Sequence, residues 1–515
     1  MYTLGDICRK SALIRPERTA VVFEEHRLTY RQLDERVNRL ANALLSKQIS
    51  RQDRLTVLSE NTHKYLEIYF AASKIGISVT PLNFRLADEE IIQIVRDSES
   101  TVFIVGDGYE DRAHALQDAL KSIKLWIAMD TAADDFESYE EMIAGGSAVD
   151  PGIKVEEDEM AILMYTGGTT GLPKGVMMSH RGLMTAFLGA IVMGGFRRND
   201  ITCFVLPLFH VSFWSAFAVL LVQGTVVVSR RPEVDGMLKL IQDEKCTHIN
   251  AVPTLYGWML QNTDVDAYDL SSLRLITYAG SPFPPEMLKR CILKFGPIFE
   301  QAYAMTECIG GTFLQMEDHV LEGERSRLLS SAGKPCPNVD VCVKDEQGND
   351  RPPGEIGEIA IRGKCMMLGY WKNPELTAKA IRNGWYYTGD MGLIDDEGYL
   401  FLVDRKADMI VTGGENVYPK EVEDVLNQHP AVAMAAVVSA PDEKWGERVQ
   451  AAVVLQPGQT ATKEELIAHC KEHLAGYKCP KEIDFLDRLP TTAVGKILRK
   501  DMKKKYWQGY DRTVG

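Results

Sequence analysis

The chain lacks the cysteine pattern of a disulfide framework or a structural zinc site. Its ten cysteines are spread from Cys8 to Cys479 with no CxxC pair and no Cys/His ligand cluster, which reads as reduced thiols in the cytosol. An excess of positive charge is also missing. A net charge of −14 and a pI near 5.3 leave no basic footprint for nucleic acid, whose binding depends on clustered Lys and Arg. The opening MYTLGDICRKSALIRPERTA puts charges where a signal peptide needs an apolar stretch, so the expected location is cytoplasmic. An unbroken apolar run of spanning length is missing too. Phe204 to Ser229 comes nearest, but Pro207, His210, Gln223 and Gly224 interrupt it, and it reads as a buried strand, loop, helix and second strand. A transport protein would rest on that run alone. Weak membrane-surface association and a homodimer stay open.

What is present is ordinary globular composition, with 45% hydrophobic and 25% charged residues over 515 positions, enough for more than one domain. Helical and strand-like periods alternate, as in α/β folds. Leu33, Val37, Leu40, Leu44 and Leu45 share one helical face, and RLTVLSE, TVFIV and KLWIAMD read as short strands. In LRLITYAGSPFPPEMLKRCILKF a strand meets a turn at Gly280 and Ser281, and Pro284 and Pro285 then open a helix. A boundary is expected between Asp404 and Asp408, dividing residues 1–404 from 405–515. The second part carries 17 Lys plus Arg against 16 Asp plus Glu, so it is +1 while the first is −15.

The stretch YTGGTTGLPKGVMMSHRG, from Tyr165 to Gly182, has the glycines, threonines and lysine of a phosphate cradle. It is not a Walker loop, because Lys174 lies between Pro173 and Gly175 with no Gly before it and no hydroxyl after it. A P-loop nucleotide hydrolase is therefore disfavoured. Taken alone, the string reads equally as a Gly-rich turn between the strand MAILMYT and a helix starting after Gly182.

Five further motifs follow in order: YAMTE at Tyr303 to Glu307, YTGD at Tyr387 to Asp390, DRKADMI from Asp404, GGENVYPKEVE from Gly413, and PTTAVGKILRK ending at Lys500. With YTGGTTGLPKG they resemble the AMP-forming adenylate-forming enzymes, the superfamily of acyl-CoA synthetases, peptide-synthetase adenylation domains and firefly luciferase. Within it the chain looks like a bacterial acyl-CoA synthetase or fatty-acid–CoA ligase. The resemblance covers essentially the whole chain. It implies a large N-terminal, multi-subdomain α/β domain with a small mobile C-terminal α+β domain. It also implies a two-step reaction in which a carboxylic acid attacks the α-phosphorus of ATP, with Mg²⁺ as cofactor, and the thiol of CoA then displaces AMP.

The same resemblance implies roles residue by residue. Thr166, Gly167, Gly168, Thr169, Thr170, Gly171 and Lys174 would hold the β- and γ-phosphates. Thr306 would donate to the α-phosphate and Glu307 would hold Mg²⁺. Gly280, Ser281, Gln301, Ala302 and Tyr303 would wall the nucleotide, and Asp390 would accept from the ribose hydroxyls with Arg405 assisting. Lys496 would be the adenylation lysine, a mobile charge between carboxylate and α-phosphate. Ala407 would be the hinge, where the family commonly has Asp or Lys. Gly413, Gly414, Trp445 and Lys478 would face CoA. His210 reads equally as a satisfied core histidine and as a contact to the substrate carboxylate. Phe213 and Trp214 would line an apolar acyl pocket, favouring a hydrophobic acid. Transfer of the acyl group to a carrier protein, or oxidation of the adenylate, are alternatives on the same fold, although no carrier domain is read in the chain.

Overall fold

The computed structural model describes residues 3–51, 53–130, 135–166, 173–231, 233–406, 408–442, 444–492 and 496–508. Three sheets organise them. The largest is built around parallel strands Thr225–Val228, Ile201–Phe204, His248–Ala251, Leu275–Ala279 and Phe299–Met305. These short runs are buried on both faces, which explains why they read as continuous stretches instead of alternating ones. After Met305 the chain turns back at Thr306 and Glu307, and Cys308–Leu314 pairs antiparallel with Phe299–Met305. Ser331–Pro335, Leu400–Arg405, Trp385–Ile394, Gly357–Gly363 and Val339–Lys344 then extend the sheet.

The second sheet holds Arg54–Leu58, Val102–Val105 and Leu125–Ala128, the strands expected from their apolar runs. Between the two sheets lies the helix His63–Ile75, buried along its whole length and touching strands of both. The amphipathic helix Tyr30–Ser46 packs Leu33, Val37, Leu40 and Leu44 inward, with Leu45 at the edge of the core. Thr29 starts it: its hydroxyl accepts from the Gln32 N–H while the Gln32 side chain accepts from the Thr29 N–H, a reciprocal cap. Pro285 opens Pro285–Phe295, where a missing N–H costs nothing.

The interrupted apolar stretch folds as read, into Ile201–Phe204, a short turn of helix Val211–Phe213, the helix Trp214–Leu221 and the strand Thr225–Val228. Among the described residues no helix is long and apolar enough to cross a membrane.

One local expectation is corrected. The glycine-rich stretch does not lead from a strand into a helix. It joins two antiparallel strands, Met160–Thr166 and Lys174–Ser179, with Thr166 opposite Lys174. The helix begins at His180, not after Gly182, because the Ser179 hydroxyl accepts from the Gly182 N–H and caps it.

Leu400–Arg405 still belongs to the largest sheet, whereas Ile410–Thr412 enters the third, five-stranded one. That sheet has its own core around Val422, Leu426, Val437, Ala451 and Leu466. The architecture is thus a large N-terminal α/β domain with a small C-terminal domain.

Candidate active site

The parallel strands of the largest sheet end at one edge, and the chain passes from them into Gly280 after Leu275–Ala279 and into Thr306 and Glu307 after Phe299–Met305. A crevice beyond the carboxyl ends of parallel strands is where α/β sheets receive ligands. Lys496, from the C-terminal domain, reaches into this edge. A Cβ on Gly280 would lie 3.0 Å from the lysine Cε and 3.6 Å from its Nζ. Gly280 also has φ +86°, so glycine is required there for both space and backbone conformation. The lysine's own backbone is tied down, its N–H donating to Thr492 Oγ1 at 3.1 Å and its carbonyl accepting from the Thr492 N–H at 2.7 Å.

The charges around Lys496 are named by its proton affinity. Burial and the repulsion of Arg405 push its pKa down to about 8, against the attraction of Asp390 and Glu307. Arg405 and Asp390 are paired across neighbouring strands, Nε to Oδ1 at 3.4 Å, in direct register. The Tyr303 hydroxyl donates to Asp390 Oδ2 at 2.7 Å. Burial raises the Asp390 pKa, opposed by Arg405 and by that hydroxyl. A ribose hydroxyl could take up the same acceptor.

Glu307 sits in the two-residue turn with buried Thr306. The Tyr370 hydroxyl donates to its Oε1 at 3.0 Å. Tyr370 pairs with Val176 on the strand that begins at Lys174, and Lys174 Nζ lies 5.8 Å over the Tyr370 ring. The base of the glycine-rich hairpin is therefore connected to Glu307 through one tyrosine. Asp97 anchors the same base, accepting from Tyr165 at 2.5 Å and, through its carbonyl, from the Trp371 indole at 2.8 Å. Gly167, Gly168, Thr169, Thr170 and Gly171 lie outside the described residues, as does Ala407.

His210 caps the Val211–Phe213 turn, its Nδ1 accepting from the Ser212 N–H at 3.2 Å. That leaves the ring proton on Nε2. Burial first, then the nearby Lys496 charge, lower its pKa to about 3, so the imidazole is neutral and can only donate from Nε2. The structure places it within the influence of the Lys496 charge, so the histidine is both a buried turn cap and a neighbour of that lysine. Phe213 is completely buried among Tyr69, Phe187 and Phe217, as the back of a wall, while Trp214 meets Phe196 edge-on at 6.4 Å between centroids. Gln301 and Ala302 are buried just before Tyr303, and Ser281 follows Gly280 in its turn.

The residues expected on the CoA side form a separate group. Gly413 and Gly414 have φ of +61° and +88°, and a Cβ on Gly413 would stand 2.7 Å from the Trp445 ring. Trp445 is 45% exposed. Lys478 Nζ is held by Glu421 at 2.6 and 2.8 Å.

Sequence reasoning missed Tyr370 and the contact joining the domains. Asp404, on the last strand of the large sheet, accepts at 2.8 Å from the N–H of Lys420, in the first turn of Pro419–Leu426. Close by, Arg499 makes a two-pronged pair with Glu423, at 2.8 and 2.6 Å. DRKADMI pointed to this region, but nothing in it says which carboxylate meets which helix.

The family described as AMP-binding enzyme matches residues 8–371, and AMP-binding enzyme C-terminal domain matches 421–496. The feruloyl-CoA synthase of Amycolatopsis sp. is 36% identical over 505 residues, covering 98% of this chain and 99% of its own. The long-chain-fatty-acid–CoA ligase FadD13 of Mycobacterium tuberculosis is 34% identical over 514 residues, covering 98% and 99%. Among solved structures, ATP-bound MatB from Rhodopseudomonas palustris superposes with a TM-score of 0.89 at 27% identity, covering 98% and 99%. The chain belongs to the AMP-binding enzymes, the adenylate-forming superfamily, as an enzyme of its AMP-forming acid–CoA ligase branch.

Proposed function

We propose that the protein joins a hydrophobic carboxylic acid to CoA in two steps at one site. In the first, a carboxylate oxygen attacks the α-phosphorus of ATP, the bond to the β-phosphate bridge breaks, and pyrophosphate leaves. In the second, the CoA sulfur attacks the acyl carbon, the thiol proton is lost, and AMP departs. The observation that carries this reading is the seat of Lys496: a buried ammonium from the small domain, against Gly280 and beside Asp390, Arg405, Glu307 and His210.

Each neighbour has a task that fits its chemistry. Asp390, steadied by Arg405 and Tyr303, accepts from the ribose. Thr306 donates to the α-phosphate. Neutral His210 donates from Nε2 toward the substrate carboxylate. Glu307, a hard oxygen donor oriented by Tyr370, suits Mg²⁺, which when bound would neutralise phosphate charge. Lys174, at the foot of the hairpin, faces the outgoing pyrophosphate together with Thr166. Lys496 bridges the two anions that must meet, and stabilising charge in a dry site is among the largest catalytic effects.

For the second step the division between 404 and 405 acts as the hinge region, with Ala407 at its centre. Rotation withdraws Lys496 and brings Gly413, Gly414 and Trp445 to the pantetheine arm, which needs backbone free of Cβ atoms. The relatives named above support both aryl and fatty acids as the substrate class. Exchange of labelled pyrophosphate into ATP, measured against a panel of aryl and alkyl acids, tests the first step. The reading fails if no acid stimulates exchange.

A further inference from the structure

Glu300 is a buried acid for which the two steps above have no use. It is 2% exposed, and its Oε1 has no hydrogen-bond partner among the described residues. Its polar neighbours are already committed. Thr277, its partner in register on the adjacent strand, is joined to His248 Nε2 at 3.1 Å, and His248 Nδ1 to Thr202 at 2.8 Å. Arg274, the cation whose charge acts on it, is engaged with Asp200 and with the Gly195 carbonyl. Burial pushes the Glu300 pKa up to about 8, so near neutrality the group is largely a carboxylic acid, one O–H donor with acceptor capacity to spare.

Its position explains what it could serve. Side chains alternate along a strand, so Glu300 and Ala302 share one face of Phe299–Met305, and Glu300 meets the end of the helix His180–Gly194. A Cβ on Gly194, the last residue of that helix, would lie 3.2 Å from Glu300 Oε1 and 3.0 Å from the Phe196 ring. Phe196 in turn meets Trp214. Glu300 is thus a lone acid beside Gly194 and Phe196, with Trp214 behind them. Gly280, where Lys496 reaches the sheet edge, lies one residue beyond the Ala279–Ala302 pair. Three residues of strand separate Gly280 from Thr277, the partner of Glu300, about 10 Å at ~3.3 Å per residue, or about eight bonds of substrate.

We infer that Glu300 is a specificity-determining residue that binds a hydroxyl at the far end of the acid, so that the preferred substrate is a hydrophobic monocarboxylic acid with a distal hydroxyl about eight bonds from its carboxylate. This rests on the acid–CoA ligase reading and narrows it. A buried group left unpaired by the wrong substrate is a strong basis for selection.

The test compares acids that differ only by that hydroxyl, 4-hydroxycinnamate with cinnamate and 8-hydroxyoctanoate with octanoate, as kcat/KM for acid-dependent pyrophosphate exchange. The wild-type protein should favour the hydroxylated member of at least one pair by about tenfold, the worth of one well-made hydrogen bond. Glu300→Leu should remove that preference by lowering kcat/KM for the hydroxylated acid while leaving the plain acid unchanged or better. Glu300→Gln, which still donates and accepts, should keep most of it. Equal use of both members by the wild type overturns the inference without reference to any variant. So does an equal loss on both acids in Glu300→Leu with an unchanged melting temperature. Brisk exchange with no hydroxyl preference leaves the ligase reading standing and removes only this role for Glu300, whereas no exchange with any acid removes both.

Discussion

Replacing Lys496 by alanine should separate the two half-reactions. The lysine is buried, where desolvation and Arg405 hold its pKa down to about 8, and in the proposed first step its charge meets the approaching carboxylate and phosphate. One such charge about 4 Å from its partner, at the effective dielectric of ~20 that describes protein sites, is worth about 4 kcal/mol, or about a thousandfold in rate. Lys496→Ala should therefore slow acid-dependent pyrophosphate exchange by about that factor. Formation of acyl-CoA from a supplied acyl-adenylate and CoA should change by less than about threefold, because the proposed second step has the small domain rotated and the lysine withdrawn. Stability should not fall. A lysine depressed from 10.5 to about 8 costs the free closed protein about 3 kcal/mol below pH 8, so the melting temperature of the variant should match or exceed that of the wild type. Equal losses in both half-reactions, or a loss in exchange below tenfold, would refute this reasoning.

Three other outcomes follow from the same geometry. Gly280→Ala should cut adenylation about tenfold or more while sparing the thioester step, since a methyl would stand 3.0 Å from Lys496 Cε at φ +86°, a backbone conformation that costs a non-glycine residue about 1 kcal/mol or more. Tyr370→Phe, which removes the hydroxyl on Glu307, should raise the Mg²⁺ concentration for half-maximal exchange severalfold with little change in kcat at saturating metal. With pH, kcat/KM for exchange should fall with unit slope as Lys496 loses its proton, the break lying between about 8, its value in the buried site, and the ordinary lysine value of 10.5. The closed arrangement without ATP should shift oppositely: protonation is favoured outside the buried site, so closure is disfavoured below pH 8 and gains as pH rises from about 8 toward 10.5. A pH-independent Lys496→Arg variant alongside the wild type checks that assignment.

Much of the fold was legible because burial writes itself into short apolar runs. TVFIV and RLTVLSE were readable as strands, and the Leu33 to Leu45 spacing as a helix face. The glycine-rich stretch misled at its far end, since KGVMMS has too few alternating positions to announce a strand and becomes one only by pairing with Met160–Thr166. The ordered motifs pointed to this edge of the sheet through family resemblance. They could not show that Asp390 lies opposite Arg405, that Tyr370 ties Glu307 to the strand beginning at Lys174, or that Asp404 meets the start of Pro419–Leu426. Those contacts depend on strand register and domain placement, which local sequence does not encode. Glu300 was invisible for a similar reason: in PIFEQAYAMTE it reads as one more strand residue, and only its burial without a partner sets it apart.

The most direct measurement is the nucleotide product of a complete reaction containing acid, ATP, Mg²⁺ and CoA. The account predicts AMP and acyl-CoA in equal amounts, with pyrophosphate and no ADP. Release of ADP and inorganic phosphate, or AMP formation without consumption of the CoA thiol, would contradict it.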